Sequence, residues 1–294
     1  MRNRPGFGNL ILIGGHEDKK GDKIILRAVA KEVGRGKLVV ATIASDVPKE
    51  LFDEYNAAFR SLGVRHVHHL SFDTREEAMR PGTLRVLDDA SVVFFTGGDQ
   101  LRITSQMGDT PVYTRVKQIF ESGGTIAGTS AGASVMTETM VVSGESEETN
   151  KIGDLIKLAP GFGLIGGVVV DQHFAQRGRV ARLLGVVAQN PRILGIGIDE
   201  NAAIRIRRGT FQCIGENAVY VLDASRMQFT NVAEGEPDES LCVYGVRIHV
   251  MNQSDKFNLK SRRPKHFPVE VVLDELGVKK PDDDAAGAER GKNR

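Results

Sequence analysis

Gly128-Thr129-Ser130-Ala131-Gly132 follows the apolar run Thr125-Ile126-Ala127 and precedes Ala133 to Thr137, a stretch suited to a helix. A strand entering Gly-x-Ser-x-Gly and leaving as a helix is the pattern of a nucleophile elbow. There a serine occupies a tight, strained turn and lifts its hydroxyl clear of the backbone. Glycines two positions to either side let strand and helix approach closely enough for the turn to form. The same five residues would also serve as a plain small-residue turn, so the reading depends on what else the chain carries.

The surrounding pattern suits that elbow. Asn9-Leu10-Ile11-Leu12-Ile13 ends in Gly14-Gly15, Lys37 to Ile43 ends in Ala44-Ser45, and Val92-Val93-Phe94-Phe95 ends in Thr96-Gly97-Gly98. These strands are apolar on both faces, as a parallel sheet covered by helices requires. Gly21 to Val33 and Pro48 to Leu62 between them carry apolar residues at helical spacing. The alternation predicts an α/β fold with a doubly wound, mostly parallel sheet flanked by helices, whose ligand crevice lies beyond the carboxyl ends of its strands. In the C-terminal half, Leu194 to Ile198, Ala202 to Arg207, Thr210 to Ile214 and Ala218 to Leu222 read as short antiparallel hairpins joined by tight turns. One domain is expected over residues 1–278. A tail at 279–294, poor in large apolar residues, is expected to be disordered.

Composition excludes several classes. Thirty-nine basic and 38 acidic residues leave a net charge of +1, which argues against a nucleic-acid or membrane-surface partner. The apolar runs are strand-sized, none long enough to span a membrane, and the start does not read as a signal peptide, so a cytoplasmic protein is expected. The two cysteines, Cys213 and Cys242, form no disulfide framework and read as small buried residues of strands. Gly161-Phe162-Gly163-Leu164-Ile165-Gly166 matches the dinucleotide fingerprint in letters. It follows a proline loop and precedes a strand, the wrong context for that role. His66, His68 and His69 invite a metal reading, but a strand turns His69 away from the other two and no carboxylate or cysteine is suitably spaced.

A serine nucleophile needs a base, and the base needs an acid to orient it. Among seven histidines, His173 stands at the end of the strand Val168-Val169-Val170, within Asp171-Gln172-His173-Phe174. Another strand ends in Asp199-Glu200-Asn201, so either of those carboxylates could serve as the acid. The chain order Ser, His, acid differs from the Ser, acid, His order of ordinary α/β-hydrolases.

Four segments now converge: Gly14-Gly15-His16-Glu17-Asp18-Lys19, Phe94 to Arg102, Gly128 to Ala133, and Asp171 to Arg179. Together, within a likeness running from about residue 8 to about residue 250, they resemble the cyanophycinases. These are serine-type exopeptidases of peptidase family S51, related to α-aspartyl dipeptidase, that degrade the storage polymer multi-L-arginyl-poly-L-aspartate. His16 stands where a small residue is more usual in the first glycine loop. The resemblance implies Ser130 as nucleophile, His173 as base and Glu200 as acid. It also implies a substrate pocket drawn from Gln100, Asp171, Gln172, Arg177, Arg179 and Arg182, with no metal or organic cofactor, and a homodimer. Arginines suit carboxylates of the substrate because their fork binds them bidentately, while Asp171 and the amides of Gln100 and Gln172 would take its positive groups. The oxyanion would be held by the N–H of Ala131 and one from Gly97-Gly98. An aspartyl dipeptidase acting on short peptides, or a non-catalytic peptide-binding relative, are the alternatives. The dipeptidase would need a smaller, closed pocket, and a dead relative would be free to lose Ser130, His173 or Glu200.

Overall fold

The computed structural model describes residues 7–143, 152 and 156–266; the expected tail at 279–294 lies outside them. In chain order the elements begin with β1 (Leu10–Ile13), α1 (Ile24–Val33), β2 (Lys37–Ala41), α2 (Pro48–Ser61), β3 (Val67–Leu70), α3 (Arg75–Ala78) and α4 (Pro81–Arg85). There follow β4 (Ala90–Phe95), α5 (Gln100–Met107), α6 (Pro111–Glu121), β5 (Thr125–Thr129), α7 (Ala131–Ser134), β6 (Thr139–Ser143) and β7 (Lys157–Pro160). The C-terminal part contributes β8 (Val168–Gln172), α8 (Val180–Gln189), β9 (Leu194–Ile198), β10 (Ala202–Arg207), β11 (Thr210–Gly215) and β12 (Val219–Asp223). It closes with β13 (Phe229–Thr230), β14 (Val243–Tyr244), β15 (Arg247–Met251), β16 (Lys256–Asn258) and β17 (Arg263–Lys265).

Nine strands form the main sheet in the order β17-β16-β11-β10-β1-β5-β4-β2-β3. From β1 to β3 it is parallel; β10 pairs antiparallel with β1 and carries β11, β16 and β17 outward. The expected parallel core and antiparallel C-terminal half are both present. Their connection differs from a simple run of hairpins. Of the four strands expected as hairpins, β10 and β11 pair as one, turning at Arg208-Gly209, whereas β9 and β12 leave for a second sheet ordered β15-β12-β9-β8. In that sheet β8 and β9 run parallel. Short spacing between strands in the chain does not dictate which strands pair, because pairing is settled by the faces each strand can bury.

Side-chain alternation decides those faces. Ile11 and Ile13 of β1 point to one side, with Val40, Phe94 and Ala127, and are covered by Ile25, Leu26 and Val29 of α1 and by Tyr55 and Phe59 of α2. Leu10 and Leu12 point to the other side and join Val168, Val170, Ile196 and Ile198 of the second sheet in one continuous core. The outer face of the second sheet, with Val169 and Leu222, is sealed by Leu183, Val186 and Val187 of α8. The two sheets therefore share a core, and the carboxyl ends of β1, β5, β8 and β9 open at one edge of it. No helix among the described residues is long and apolar enough to cross a membrane.

Two motifs set aside in the sequence have structural roles. Phe162, in the glycine-rich segment, packs edge-on against Phe95, and a Cβ at Gly161 would lie 2.2 Å from the carbonyl of Thr137. His69 meets the Thr42 hydroxyl at 2.7 Å and stacks on Phe52, while His68 points to solvent. Cys213 is buried in β11, but Cys242 precedes β14 and is only half-buried, so the expectation holds for one cysteine and not the other.

Candidate active site

Ser130 takes φ 53° and ψ −115°, a conformation that side chains rarely adopt, at the junction of β5 and α7. The reason for its glycines is visible in contacts. A Cβ at Gly128 would lie 2.4 Å from the carbonyl oxygen of Gly132, and one at Gly132 would lie 2.3 Å from that of Phe95. The turn is clamped by the Ser130 N–H donating to Ile13 of β1 at 3.0 Å and by Ala133 and Ser134 N–H groups returning to the Ser130 carbonyl. The helix that follows is one turn long, shorter than the stretch to Thr137 suggested. From Met136 the chain tightens into bonds to the third residue back and then enters β6.

His173 lies immediately past β8, also at positive φ (48°), with its N–H bonded to the Gly14 carbonyl at 2.9 Å. That bond ties the second sheet to the end of β1 and delivers the ring to the serine. Ser130 Oγ stands 2.9 Å from His173 Nε2, and His173 Nδ1 stands 2.8 Å from Glu200 Oε1. Gly15, at φ 110°, lies flat against the imidazole; a Cβ there would be 2.2 Å from Cε1, so any larger residue would push the ring away. Burial pulls the His173 pKa below the ordinary 6.5, Glu200 opposes that shift, and the Arg177 charge adds to it.

Asp199 and Glu200 face different partners. Asp199 is buried and its Oδ1 accepts the Ala175 N–H at 2.8 Å, which anchors the segment after His173. Glu200, one residue on, reverses direction and faces the imidazole. Its own backbone is held at both ends: its N–H donates to Gln176 Oε1 at 3.1 Å and its carbonyl accepts from Asn217 at 2.7 Å.

Across the crevice, Gly97 leaves room for the serine, since a Cβ there would approach Ser130 Cβ to 3.3 Å. Gly98 is at φ 137°, and a Cβ there would lie 2.0 Å from the Ala44 carbonyl oxygen, so both conformation and space call for glycine. The N–H groups of Ala131 and Gly98 make no hydrogen bond among the described residues. Asp99 caps α5 by accepting the Leu101 N–H at 2.8 Å, and Gln100 donates its amide to the Val141 carbonyl at 3.0 Å.

The expected pocket residues divide into two groups, and here the structure corrects the sequence reading. Asp171 is 0 % exposed. It accepts both Nε and Nη2 of Arg182, itself buried, and Nη1 of Arg179 at 3.2 Å. Neither Asp171 nor Arg182 is therefore free to meet a substrate charge; breaking their pair would strand a buried ion. Arg179 also donates to the Gln172 carbonyl at 2.6 Å, so the cluster braces the last residue of β8 from behind. Gln172 accepts the Ser134 hydroxyl at 2.9 Å, linking β8 to α7. Arg177 alone among the three arginines is exposed and has no ion-pair partner among the described residues.

Two residues of the first glycine loop were not singled out by their spacing. Glu17 is buried and accepts the hydroxyls of Thr129, at 2.7 Å, and of Tyr55. His16 is exposed, with its ring edge-on to His173 at 5.3 Å between centroids. Asp18, next in the chain, accepts the N–H groups of Lys20, Gly21 and Lys23. Burial would raise its pKa, but those three donors hold it below the ordinary value.

The family model of Peptidase family S51 matches residues 10–214. A cyanophycinase of Trichormus variabilis is 38% identical over 257 residues, covering 86% of this chain and 86% of its own length. A cyanophycinase of Synechococcus elongatus is 35% identical over 263 residues, covering 88% of this chain and 81% of its own. Among solved structures, a peptidase from an acI-B1 Actinobacterium superposes with a TM-score of 0.59 at 22% identity, over 82% of this chain and 96% of that one, a likeness of fold. With the family model spanning residues 10–214, and so Ser130, His173 and Glu200, the chain belongs to peptidase family S51.

Proposed function

We propose that this protein is a serine-type exopeptidase that hydrolyses cyanophycin, multi-L-arginyl-poly-L-aspartate, to β-Asp-Arg dipeptides through an acyl-enzyme. The observation that carries the reading is the unbroken chain of contacts from Ser130 Oγ to His173 to Glu200, in a family whose curated relatives bear that activity. His173 Nε2 takes the Ser130 proton as Oγ attacks the main-chain aspartyl carbonyl. Glu200 accepts the Nδ1–H of His173, holds the ring in that tautomer and stabilises the imidazolium. The carbonyl oxygen, now negative, is received by the N–H groups of Ala131 and Gly98, with Gly97 keeping the space open. Collapse expels the amine, which takes its proton from His173. Water, deprotonated by the same nitrogen, then releases the acyl group and restores Ser130.

The depressed pKa of His173 supports its role, because the neutral base persists into mildly acidic solution. In the pocket, Arg177 at the mouth is the surface cation for substrate carboxylates, with Gln100 and Gln172 along the wall. Asp171, Arg179 and Arg182 act through positioning of β8. The reading carries with it a cytoplasmic homodimer, for which the exposed apolar Ile248 and Val250 of β15 offer a surface to bury; light scattering on the purified chain measures the mass. The activity is tested by incubating the enzyme and its Ser130→Ala variant with cyanophycin granules and following products by mass spectrometry. Release of β-Asp-Arg by the first and not the second is expected. Granules left intact by both would sink the assignment.

A further inference from the structure

Glu200 stands between two imidazoles. Its Oε1 meets His173 Nδ1 at 2.8 Å, and its Oε2 lies 3.9 Å from His16 Nδ1. One ligand atom from each of the three residues can be chosen so that all lie within 4.8 Å of one another, and no other group of histidine, cysteine, aspartate and glutamate does so among the described residues. Two imidazole nitrogens and one carboxylate oxygen, with an open side for water, form the donor set of a three-ligand zinc site. A tetrahedral ion with bonds of 2.0–2.1 Å would hold its donors about 3.4 Å apart. The two nitrogens now face different oxygens of the carboxylate, so the His16 and Glu200 side chains must turn until a single oxygen stands at that spacing from both.

The parts that must move are those with freedom. The His16 side chain is 72% exposed and that of Glu200 29%, against 5% for His173. The His173 ring is held by Gly15 against its face and by its own N–H bond to Gly14. The His16 backbone is anchored too, since the preceding Gly15 carbonyl accepts the Asn201 N–H at 2.9 Å. The peptidase mechanism makes no use of His16.

We propose that His16, His173 and Glu200 form an inhibitory binding site for a zinc-class divalent cation. The ion takes the lone pair at His173 Nδ1, displacing the Nδ1–H···Glu200 hydrogen bond. The single proton of the neutral ring then resides on Nε2, which donates to Ser130 Oγ where the reaction needs it to accept. No proton is gained or lost by the ring; the ion loses bound water. The base is thereby silenced without any change at the serine.

Inhibition rests on the peptidase reading, whereas binding does not, so the two are measured separately. Isothermal calorimetry with zinc chloride on the whole protein should show one site, undiminished in Ser130→Ala and at least about tenfold weaker in His16→Ala. Dipeptide release should be lost at zinc concentrations that fill the site and return on adding EDTA, and His16→Ala should stay active at those concentrations. Equal zinc affinity in wild type and His16→Ala would overturn the proposal, as would a filled site with undiminished activity. An enzyme inactive on cyanophycin even in EDTA would refute the peptidase reading and leave the calorimetric test intact.

Discussion

The carboxylate of Glu17 lies buried behind the strand-to-helix turn at Ser130, where it accepts the hydroxyl of the preceding residue, Thr129, at 2.7 Å. Its other oxygen accepts Tyr55 of α2. Glu17 thus spans from the loop after β1 to the end of β5 and to a covering helix, and it positions the serine without touching it. Removing the carboxylate strands two buried hydroxyls and leaves a void. Glu17→Ala should lower stability by about 2–4 kcal/mol and lower kcat with little change in KM. Tyr55→Phe should lose stability while keeping kcat, because Thr129 retains its partner. Thermal melts and steady-state kinetics on the two variants separate the roles; equal kcat in Glu17→Ala and wild type would reduce Glu17 to a packing residue.

Ser130→Ala should remove hydrolysis by a factor on the order of 10⁴ to 10⁶ while leaving the melting temperature unchanged. Glu200→Gln should cost less than His173→Ala, since the acid orients the base without itself taking the proton. A Glu200→Gln enzyme at full rate would contradict the assignment. Asp199 and Asp171 are no substitutes, each already bonded elsewhere.

The acid limb of the kcat/KM profile should have its midpoint below pH 6.5. Activity needs neutral His173, and burial favours that neutral form, so protonation sets in at a lower pH than in an exposed histidine. The Arg177 charge pushes in the same direction, hence Arg177→Ala should move the midpoint upward. A wild-type limb centred above 6.5 would mean that Glu200 outweighs burial.

The arginines should separate by what they report. Arg177 is exposed and pairs with no carboxylate among the described residues, so Arg177→Ala should leave the melting temperature within a degree and lower kcat/KM on cyanophycin at least about tenfold. Arg182→Ala leaves the buried Asp171 carboxylate with Arg179 as its remaining arginine partner, a loss of up to about 3 kcal/mol, which for a chain of this size is on the order of 10 °C in Tm. Unchanged kinetics in Arg177→Ala would remove the surface cation from the pocket.

Features written in consecutive residues were legible in the chain. The strand–glycine–serine–glycine–helix order announces Ser130 because the elbow is a local turn whose steric demands fall on its own neighbours. The apolar strands β1, β2 and β4 declare a covered sheet by their two-faced hydrophobicity, and the loops after them mark the crevice edge. What waited for the tertiary structure was every relationship across the two sheets. Asp199 and Glu200 are adjacent and chemically alike; only the twist of the chain leaving β9 turns one toward the Ala175 amide and the other toward His173. Asp171 reads as a pocket anion until α8 folds Arg182 against it and takes it out of solvent. His16 and Glu200 are 184 residues apart, and their approach depends on β1 and β9 ending at the same edge of a shared core. Local sterics act between neighbours in sequence and can be read there; charge pairing and burial depend on which surfaces meet, and that is decided by the packing of one sheet on the other.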